Sequence, residues 1–164
     1  MIWGVNMILK LNLKKLLISL AIPLATGGLS ALITQNFRTT YETLNNPPLS
    51  PPSWVFPVVW SILYFLMGVS LYLVWNADTP FMQKRSAFIL FGIQLALNFI
   101  WSPIFFITQK FLLAFVILVL LWLATLFMII SFYKISKPAA ILQIPYLLWL
   151  TFAAYLNYGV YLLN

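Results

Sequence analysis

Apolar residues fill five long stretches of the chain, and the charged residues stand between these stretches or at their ends. Each stretch reaches the roughly 20 residues that an α-helix needs to cross a hydrocarbon core about 30 Å thick. The stretches lack the alternating polarity of membrane β-strands. The pattern therefore predicts five transmembrane helices, at about residues 14–36, 53–76, 86–108, 111–133 and 139–162.

Composition agrees with an all-α membrane protein whose single domain covers residues 1–164. Hydrophobic residues make up 63% of the chain and charged residues 7%, whereas soluble domains carry about 25% charged residues. The chain has no His and no Cys, which excludes thiol nucleophiles, His-based triads and imidazole or thiolate metal sites, so we expect no metal centre. The net charge of +7 is spread along the chain, which argues against a nucleic-acid partner.

The distribution of Lys and Arg predicts how the helices are oriented. With the N-terminus inside, the inner side carries seven cations and the outer side two, Arg38 and Lys110. This bias favours an inside N-terminus and an outside C-terminus, and the bacterial cytoplasmic membrane is the simplest location. The first apolar run is too long for a signal peptide and has no clear cleavage site, so we expect a helix there. Met1 and Met7 both remain candidate initiators.

The connections between the helices differ in length and composition. Those around residues 108–110 and 134–138 are very short, so helices 3, 4 and 5 should be antiparallel neighbours in one bundle. The connection over residues 37–52 is long and holds four prolines between Pro47 and Pro52. Proline fixes φ and excludes regular helix. We therefore expect a stiff, structured loop that caps the outer mouth of the bundle, with a short turn around residues 39–44.

The interior of the predicted bundle is neutral and aromatic. The middle of each span lacks Asp, Glu, Lys and Arg, which argues against a pump or an ion-coupled transporter. Aromatic, amide and small residues recur at helical spacing on three faces: Trp60, Tyr64 and Gly68; Gln94, Asn98 and Trp101; Trp149, Ala153 and Leu156. Such faces suit a pocket for a large, flat, apolar ligand, but plain packing between helices explains them equally.

Small residues cluster on helix 1, where Gly27 and Ala31 form a small-xxx-small pair. Such a pair lets two helix backbones approach closely. Two interpretations remain open, namely association with a second copy and packing within the chain.

Three segments of the chain each carry a different, recognisable motif, and the motifs follow one another in a fixed order. The residues concerned are Tyr41, Leu44, Pro47, Pro51, Pro52, Trp54, Phe56, Trp60, Leu63, Tyr64, Met67 and Gly68 in the first; Gln94, Asn98, Trp101, Phe105 and Phe106 in the second; Pro145, Tyr146, Trp149, Phe152, Ala153, Leu156 and Asn157 in the third. This pattern resembles the signature of the tryptophan-rich sensory protein family, the bacterial branch of the translocator protein (peripheral benzodiazepine receptor) family.

The resemblance implies a five-helix bundle, usually a homodimer, that binds porphyrins, haem and similar flat hydrophobic molecules as ligands without needing a cofactor. The implied ligand-binding residues are Tyr41, Trp60, Tyr64, Asn98, Trp101, Trp149, Ala153 and Leu156. It also implies two alternatives. One is light- and oxygen-dependent porphyrin degradation, in which Trp60 and Trp149 would be the catalytic pair. The other is translocation of porphyrins or sterols.

The chain departs from the family pattern mainly in the loop. Thr40 and Asn46 stand where the family usually has Trp and Lys, and Leu49 replaces a second loop aromatic. The missing Lys removes a cation that could meet a porphyrin propionate. Arg38 and Lys110 are expected on the same side of the membrane and could replace it.

Overall fold

The computed structural model describes residues 11–164. Lys10, one of the seven cations counted on the inner side, and the candidate initiators Met1 and Met7 lie outside the described residues. The elements in this range are helices, and they run in the order α1 (Leu13–Ile33), α2 (Phe37–Thr43), α3 (Val55–Asn76), α4 (Phe81–Phe106), α5 (Phe111–Tyr133), α6 (Lys137–Ile141) and α7 (Ile144–Leu163). Five stretches within residues 11–164 are long and apolar enough to span a membrane, namely α1, α3, α4, α5, and α6 together with α7. This confirms the predicted five-span, all-α class.

Helix ends differ from the prediction by a few residues. Helix α4 begins at Phe81, directly after Pro80, and therefore includes Lys84 and Arg85 in its first turns. The prediction began this helix after the charges, because charges mark the edge of the hydrocarbon but do not stop a helix. Helix α1 ends at Ile33, three residues earlier than predicted.

The five spans form a closed ring. Helix α1 packs against α3 and α4, α4 packs against α5, and α5 packs against α7. The ring closes between α3 and α7, where the Trp60 and Tyr146 rings lie 6.2 Å apart and Gln143 Nε2 donates to the Leu66 carbonyl at 3.4 Å. The predicted adjacency of helices 3, 4 and 5 is present in this order.

Helices α1 and α3 approach each other closely because each has a glycine where the other helix packs. A Cβ built on Gly68 would lie 2.8 Å from the Leu20 Cα, and one on Gly27 would lie 2.3 Å from the Tyr64 ring. Gly27 therefore serves packing within the chain, which is one of the two interpretations that the sequence left open. Gly28, by contrast, is exposed and has open space around it.

The connection between the first two spans begins with a helix. Residues 37–43 hold no proline and form the two turns of α2, so the loop is less extended than expected. Its proline-rich part lies against α7. There, Pro47 contacts the open face of Gly159, the Tyr155 hydroxyl donates to the Pro48 carbonyl at 2.7 Å, and Asn45 and Asn164 exchange hydrogen bonds.

The described cations separate to the two ends of the bundle. Lys15 lies over the Trp75 ring at 5.9 Å, Lys84 Nζ donates to the Trp75 carbonyl at 3.1 Å, and the Ser86 and Ser131 hydroxyls lie 3.3 Å apart. These contacts gather one end of α1, α3, α4 and α5. The described cations of that end are Lys14, Lys15, Lys84, Arg85, Lys134 and Lys137, while Arg38 and Lys110 belong to the end that carries α2.

Candidate ligand-binding site

A chain of buried hydrogen bonds joins α3, α4 and α7 at the centre of the ring. The Tyr64 hydroxyl donates to Asn98 Oδ1 at 2.9 Å, and Asn98 Nδ2 donates to the Tyr146 hydroxyl at 2.9 Å. The Tyr146 hydroxyl in turn donates to Gln94 Oε1 at 3.0 Å. Because neutral polar groups in a low-dielectric interior need partners, this chain holds the three helices in one arrangement.

A cavity of about 110 Å³ lies beside this chain, between α1, α3 and α4 and below α2. Aromatic rings form much of its wall, and small or hydroxyl residues of α1 form another side. The lining residues are Gly27, Ser30, Ala31, Thr34, Phe37, Phe56, Pro57, Trp60, Tyr64, Trp101, Ser102 and Phe106. The Trp60 ring stacks on Tyr64 with centroids 5.5 Å apart.

A second, smaller cavity of about 30 Å³ adjoins the first beneath the proline-rich loop. Tyr41 and Asn46 of the loop region and Ala153, Leu156 and Asn157 of α7 contribute to its wall. Phe56, Trp101 and Phe106 line both cavities and so form a partition between them.

The partition is held by aromatic and polar contacts. Trp101 Nε1 donates to Asn157 Oδ1 at 3.1 Å, and the Phe106 ring meets the Phe37 ring of α2 edge to face at 5.8 Å. Phe56 meets the Tyr41 ring edge to face at 5.0 Å. The loop helix and the partition are therefore packed as one aromatic unit.

Most of the ligand-binding residues predicted from the sequence come together around the two cavities. Trp60 and Tyr64 line the first, Tyr41, Ala153 and Leu156 line the second, and Trp101 lines both. Asn98 stands behind Tyr64 with 1% of its surface exposed. In this conformation Asn98 supports Tyr64, while the cavity wall itself is formed by other residues.

Trp149 lies apart from both cavities. Its ring is 6.0 Å from Phe56, and it lines a groove of about 460 Å³ between α3 and α7. The groove is otherwise lined by apolar residues, several of them exposed, such as Ile62 and Leu148. Trp60 and Trp149 thus line different spaces.

Sequence reasoning missed the contribution of α1 and of three phenylalanines. The sequence shows the small residues around Gly27, but we interpreted them only as a surface for helix packing. Nothing further in the sequence indicates that they also form part of a cavity wall. Phe56 and Phe106 stand in the motif segments but were not assigned to the site, and Phe37 lies outside these segments and is one of many aromatic residues in an 18% aromatic chain.

The electrostatics of the site are simple. The described residues that line the two cavities are uncharged, and the nearest cation along the chain is the exposed Arg38, directly after Phe37. Arg38 lies over the Phe37 ring at 5.9 Å. Burial raises the pKa of the Tyr41 phenol above its ordinary value, so this hydroxyl stays neutral and donates to the Pro51 carbonyl at 2.7 Å.

Lys110 takes a different position from Arg38. It lines a surface groove with Gln109, Phe111, Tyr161 and Asn164, away from both cavities. Of the two cations at the end that carries α2, Arg38 is therefore the one that directly follows a residue of the first cavity wall, Phe37.

The chain is similar in sequence to known membrane proteins over most of its length. Over 155 residues the chain is 38% identical to the tryptophan-rich protein TspO of Archaeoglobus fulgidus, covering 94% of this chain and 99% of that protein. It is 42% identical over 124 residues to the protein of the same name from Chlorobaculum tepidum, with 76% and 78% covered. It is also 41% identical over 122 residues to the human translocator protein, with 74% and 72% covered. Residues 19–163 match the model of the TspO/MBR family, and the chain is therefore a member of that family of membrane proteins.

Proposed function

We propose that this protein is a membrane receptor that binds tetrapyrroles, such as porphyrins and haem, in the two adjoining cavities. One observation carries the proposal: the neutral cavity is walled by Phe37, Phe56, Trp60, Trp101 and Phe106, and the exposed Arg38 lies over the Phe37 ring of this wall at 5.9 Å. Aromatic rings stack on a flat macrocycle, and a guanidinium outside the apolar wall can meet its carboxylates.

The sizes of the cavities require movement on binding. At about 110 and 30 Å³, they are far smaller than the roughly 300–1,000 Å³ of typical ligand pockets. A whole macrocycle enters only if the partition residues Phe56 and Phe106 turn aside and join the two spaces. Because these rings pack on Tyr41 and Phe37, the loop helix α2 moves with them.

A haem ligand would be held by its faces and edges. The chain has no His or Cys to serve as an axial ligand, and the hydroxyls of Tyr64 and Tyr41 in the cavity walls already donate to Asn98 and to the Pro51 carbonyl, so the central metal adds little to the affinity. Protoporphyrin and haem should bind with similar affinity, and the absorption spectrum of bound haem should lack the signature of His or thiolate ligation.

A cavity-filling variant tests the proposed site. Ala31 lines the first cavity, whereas Ala25 is a similar, exposed alanine of α1 that does not line it. Protoporphyrin titrations in detergent, followed by tryptophan fluorescence quenching, should saturate for the wild type and for Ala25→Phe. Ala31→Phe should weaken binding at least tenfold while its melting temperature stays close to that of Ala25→Phe. Non-saturable quenching that is identical in all three proteins would mean that the porphyrin only partitions into micelles.

Light-driven porphyrin degradation is the alternative function. The observation that favours it is the position of the readily oxidised Trp60 indole in the cavity wall, stacked on Tyr64. Trp60→Phe should then slow illuminated porphyrin loss, with the exposed Trp54→Phe as its control. Trp149→Phe separates a one-tryptophan from a two-tryptophan process. If illuminated turnover is unchanged by Trp60→Phe and Trp149→Phe with binding intact, neither indole takes part.

The proposal includes the oligomeric state of the protein. The family resemblance implies a homodimer in the lipid bilayer, and cross-linking of the protein in native membranes tests it. A monomer at every protein density would contradict the dimer without affecting the ligand site.

A further inference from the structure

The side-chain amide of Asn46 is only half used within the chain. Its Nδ2 donates to the Tyr41 carbonyl at 3.0 Å and to the Leu44 carbonyl at 3.2 Å. Its Oδ1 is buried and has no hydrogen-bond partner among residues 11–164. Turning the amide over would set the oxygen against those two carbonyl oxygens, so the loop backbone fixes the position of Oδ1. A buried acceptor that stays unpaired costs free energy, and this one therefore requires an explanation.

Asn46 belongs to the wall of the second cavity, where the other buried polar side chains are engaged. Asn157 Oδ1 accepts from Trp101 Nε1 at 3.1 Å, and Asn157 Nδ2 donates to the Phe111 carbonyl at 2.9 Å. The Tyr41 hydroxyl donates to a loop carbonyl at 2.7 Å. Among the described residues of this wall, Asn46 Oδ1 is therefore the one buried side-chain polar atom without a partner.

The chemistry of this acceptor decides which ligand group can occupy the second cavity. At about 30 Å³, the cavity exceeds the roughly 10–15 Å³ that one water-sized group needs, so it has room for the end of a side arm but not for a ring. An amide oxygen pairs with an N–H or O–H and repels another acceptor. A carboxylate would be an unpaired charge beside an unpaired acceptor in an uncharged wall, which is very costly. The group that fits is a neutral donor.

Asn46 and Arg38 address the same edge of a ligand. Arg38 belongs to α2 and lies over the Phe37 ring of the first cavity wall, while Asn46 is bonded to the Tyr41 carbonyl of the same helix. Both residues thus stand at the end of the bundle that carries α2. Once the partition residues turn aside, an edge with two side arms can place a charged arm near Arg38 and a neutral arm at Asn46.

We infer that Asn46 selects tetrapyrroles in which one side arm of this edge ends in a neutral hydrogen-bond donor, such as a carboxamide or an alcohol, instead of a carboxylate. This inference rests on the proposed tetrapyrrole function. It makes Asn46 a specificity-determining residue of the site, whose preferred ligand carries one charged arm and one neutral donor arm.

Two uncharged derivatives of mesoporphyrin with the same size test the selection. The bis(N-methylamide) and the dimethyl ester differ only in that an N–H replaces one ester oxygen in each arm. The wild type should bind the amide about 3- to 10-fold more tightly than the ester, the gain that one net hydrogen bond provides. Partition into detergent runs in the opposite direction, because the amide is the more polar of the two. Titrations followed by tryptophan fluorescence quenching measure both affinities.

Two changes at Asn46 alter the acceptor. Asn46→Ala removes it and should bind the amide and the ester equally. Because this variant also loses the two bonds to the loop, the ratio of the two affinities is the readout. Asn46→Lys replaces the acceptor by a cationic donor, so it should abolish the preference for the amide and favour the diacid mesoporphyrin over the amide by about tenfold more than the wild type does.

Asn36→Ala is the matched control. Asn36 is an exposed amide directly before α2, makes no side-chain capping bond and lines neither cavity. This variant should keep the full preference for the amide.

The outcomes separate the two proposals. If none of the porphyrins binds saturably, the proposed tetrapyrrole function fails, and the selection fails with it. If they bind saturably but the wild type binds the amide and the ester equally, or if both Asn46 variants keep the wild-type preference, the receptor function stands and the selection by Asn46 is wrong. Should Asn46→Ala fail to fold, the wild-type ratio and Asn46→Lys decide.

Discussion

Gly27 and Gly28 are adjacent residues of α1 with opposite environments. A Cβ on Gly27 would lie 2.3 Å and 2.5 Å from two carbons of the Tyr64 ring, whereas one on Gly28 would meet nothing within 4 Å. Gly27→Ala should force the ring aside, strain its hydrogen bond to Asn98 and destabilise the protein by about 1–3 kcal/mol. Gly28→Ala should be neutral or stabilising by up to about 1 kcal/mol, because alanine favours helix. Thermal unfolding in detergent measures both, and equal melting temperatures would contradict the close packing of Tyr64 on α1.

Arg38 is expected to bind a carboxylate of the ligand at the mouth of the cavity. Arg38→Gln should weaken binding of protoporphyrin about 3- to 30-fold, since a charge-assisted hydrogen bond is lost. Binding of its uncharged dimethyl ester should not change. Lys110→Gln removes the other cation of the end that carries α2, which lies away from the cavities, and should leave both affinities unaltered. Equal losses for the acid and the ester would show that Arg38 acts through the packing of α2 instead.

At the scale of single residues, the sequence predicts which residues share a helix face but not what that face meets. Trp60 and Tyr64 are four residues apart and do line one cavity together. Trp149 and Ala153 have the same spacing, yet Ala153 lines the second cavity whereas Trp149 lines the groove between α3 and α7. Residues on one face of α3 or α7 can therefore meet different neighbours, and the residues that line both cavities come from α3 (Phe56) and from α4 (Trp101 and Phe106).

The C-terminal end of α3 depends on a cation from the next helix. Lys84 is 6% exposed, and its Nζ donates to the carbonyls of Trp75 at 3.1 Å and Ala77 at 2.6 Å. The Trp75 carbonyl lies in the last turn of α3, where the end of the helix carries partial negative charge, and the Ala77 carbonyl just beyond it also accepts from the Thr79 N–H at 3.0 Å. Lys84→Gln should therefore destabilise the protein by about 1–3 kcal/mol.

The neighbouring Arg85 offers a control with the same change of charge. It is exposed, so Arg85→Gln should lower the melting temperature little. If the two variants melt together, the contribution of Lys84 is general charge rather than the capping of α3, and that prediction is wrong.

At the scale of elements, the spans follow from the sequence because burial in lipid requires long apolar helices. The short helix α2 and the break between α6 and α7 are harder to predict from the sequence. Helix α2 has only seven residues, too short to be stable by itself. It forms because Phe37 and Tyr41 pack on Phe106 and Phe56, contacts that exist only after the spans have assembled.

At the scale of the whole molecule, the proline-rich loop is tied to the C-terminal end of α7 rather than to its own neighbours in sequence. Asn45 N–H donates to Asn164 Oδ1 at 3.0 Å, and Asn164 Nδ2 donates to the Asn45 carbonyl at 3.1 Å. Pro47 also fills the space above Gly159. If the partition rings move as the proposed binding requires, we expect these contacts between the loop and α7 to be strained, which would couple ligand entry to the loop.

The orientation of the bundle in the membrane is the remaining prediction at this scale. The structure separates six described cations at one end from Arg38 and Lys110 at the other, and the positive-inside rule then places α2 and the ligand cavities on the outer side. Because the chain has no Cys, single cysteines report the side directly. Thr39→Cys on α2 and Gln83→Cys at the start of α4 are both at exposed positions. In intact cells, a membrane-impermeant maleimide should label Thr39→Cys, whereas Gln83→Cys should be labelled only after permeabilisation. The reverse pattern would place the cavity mouth inside the cell, and the ligand would then have to come from the cytoplasm.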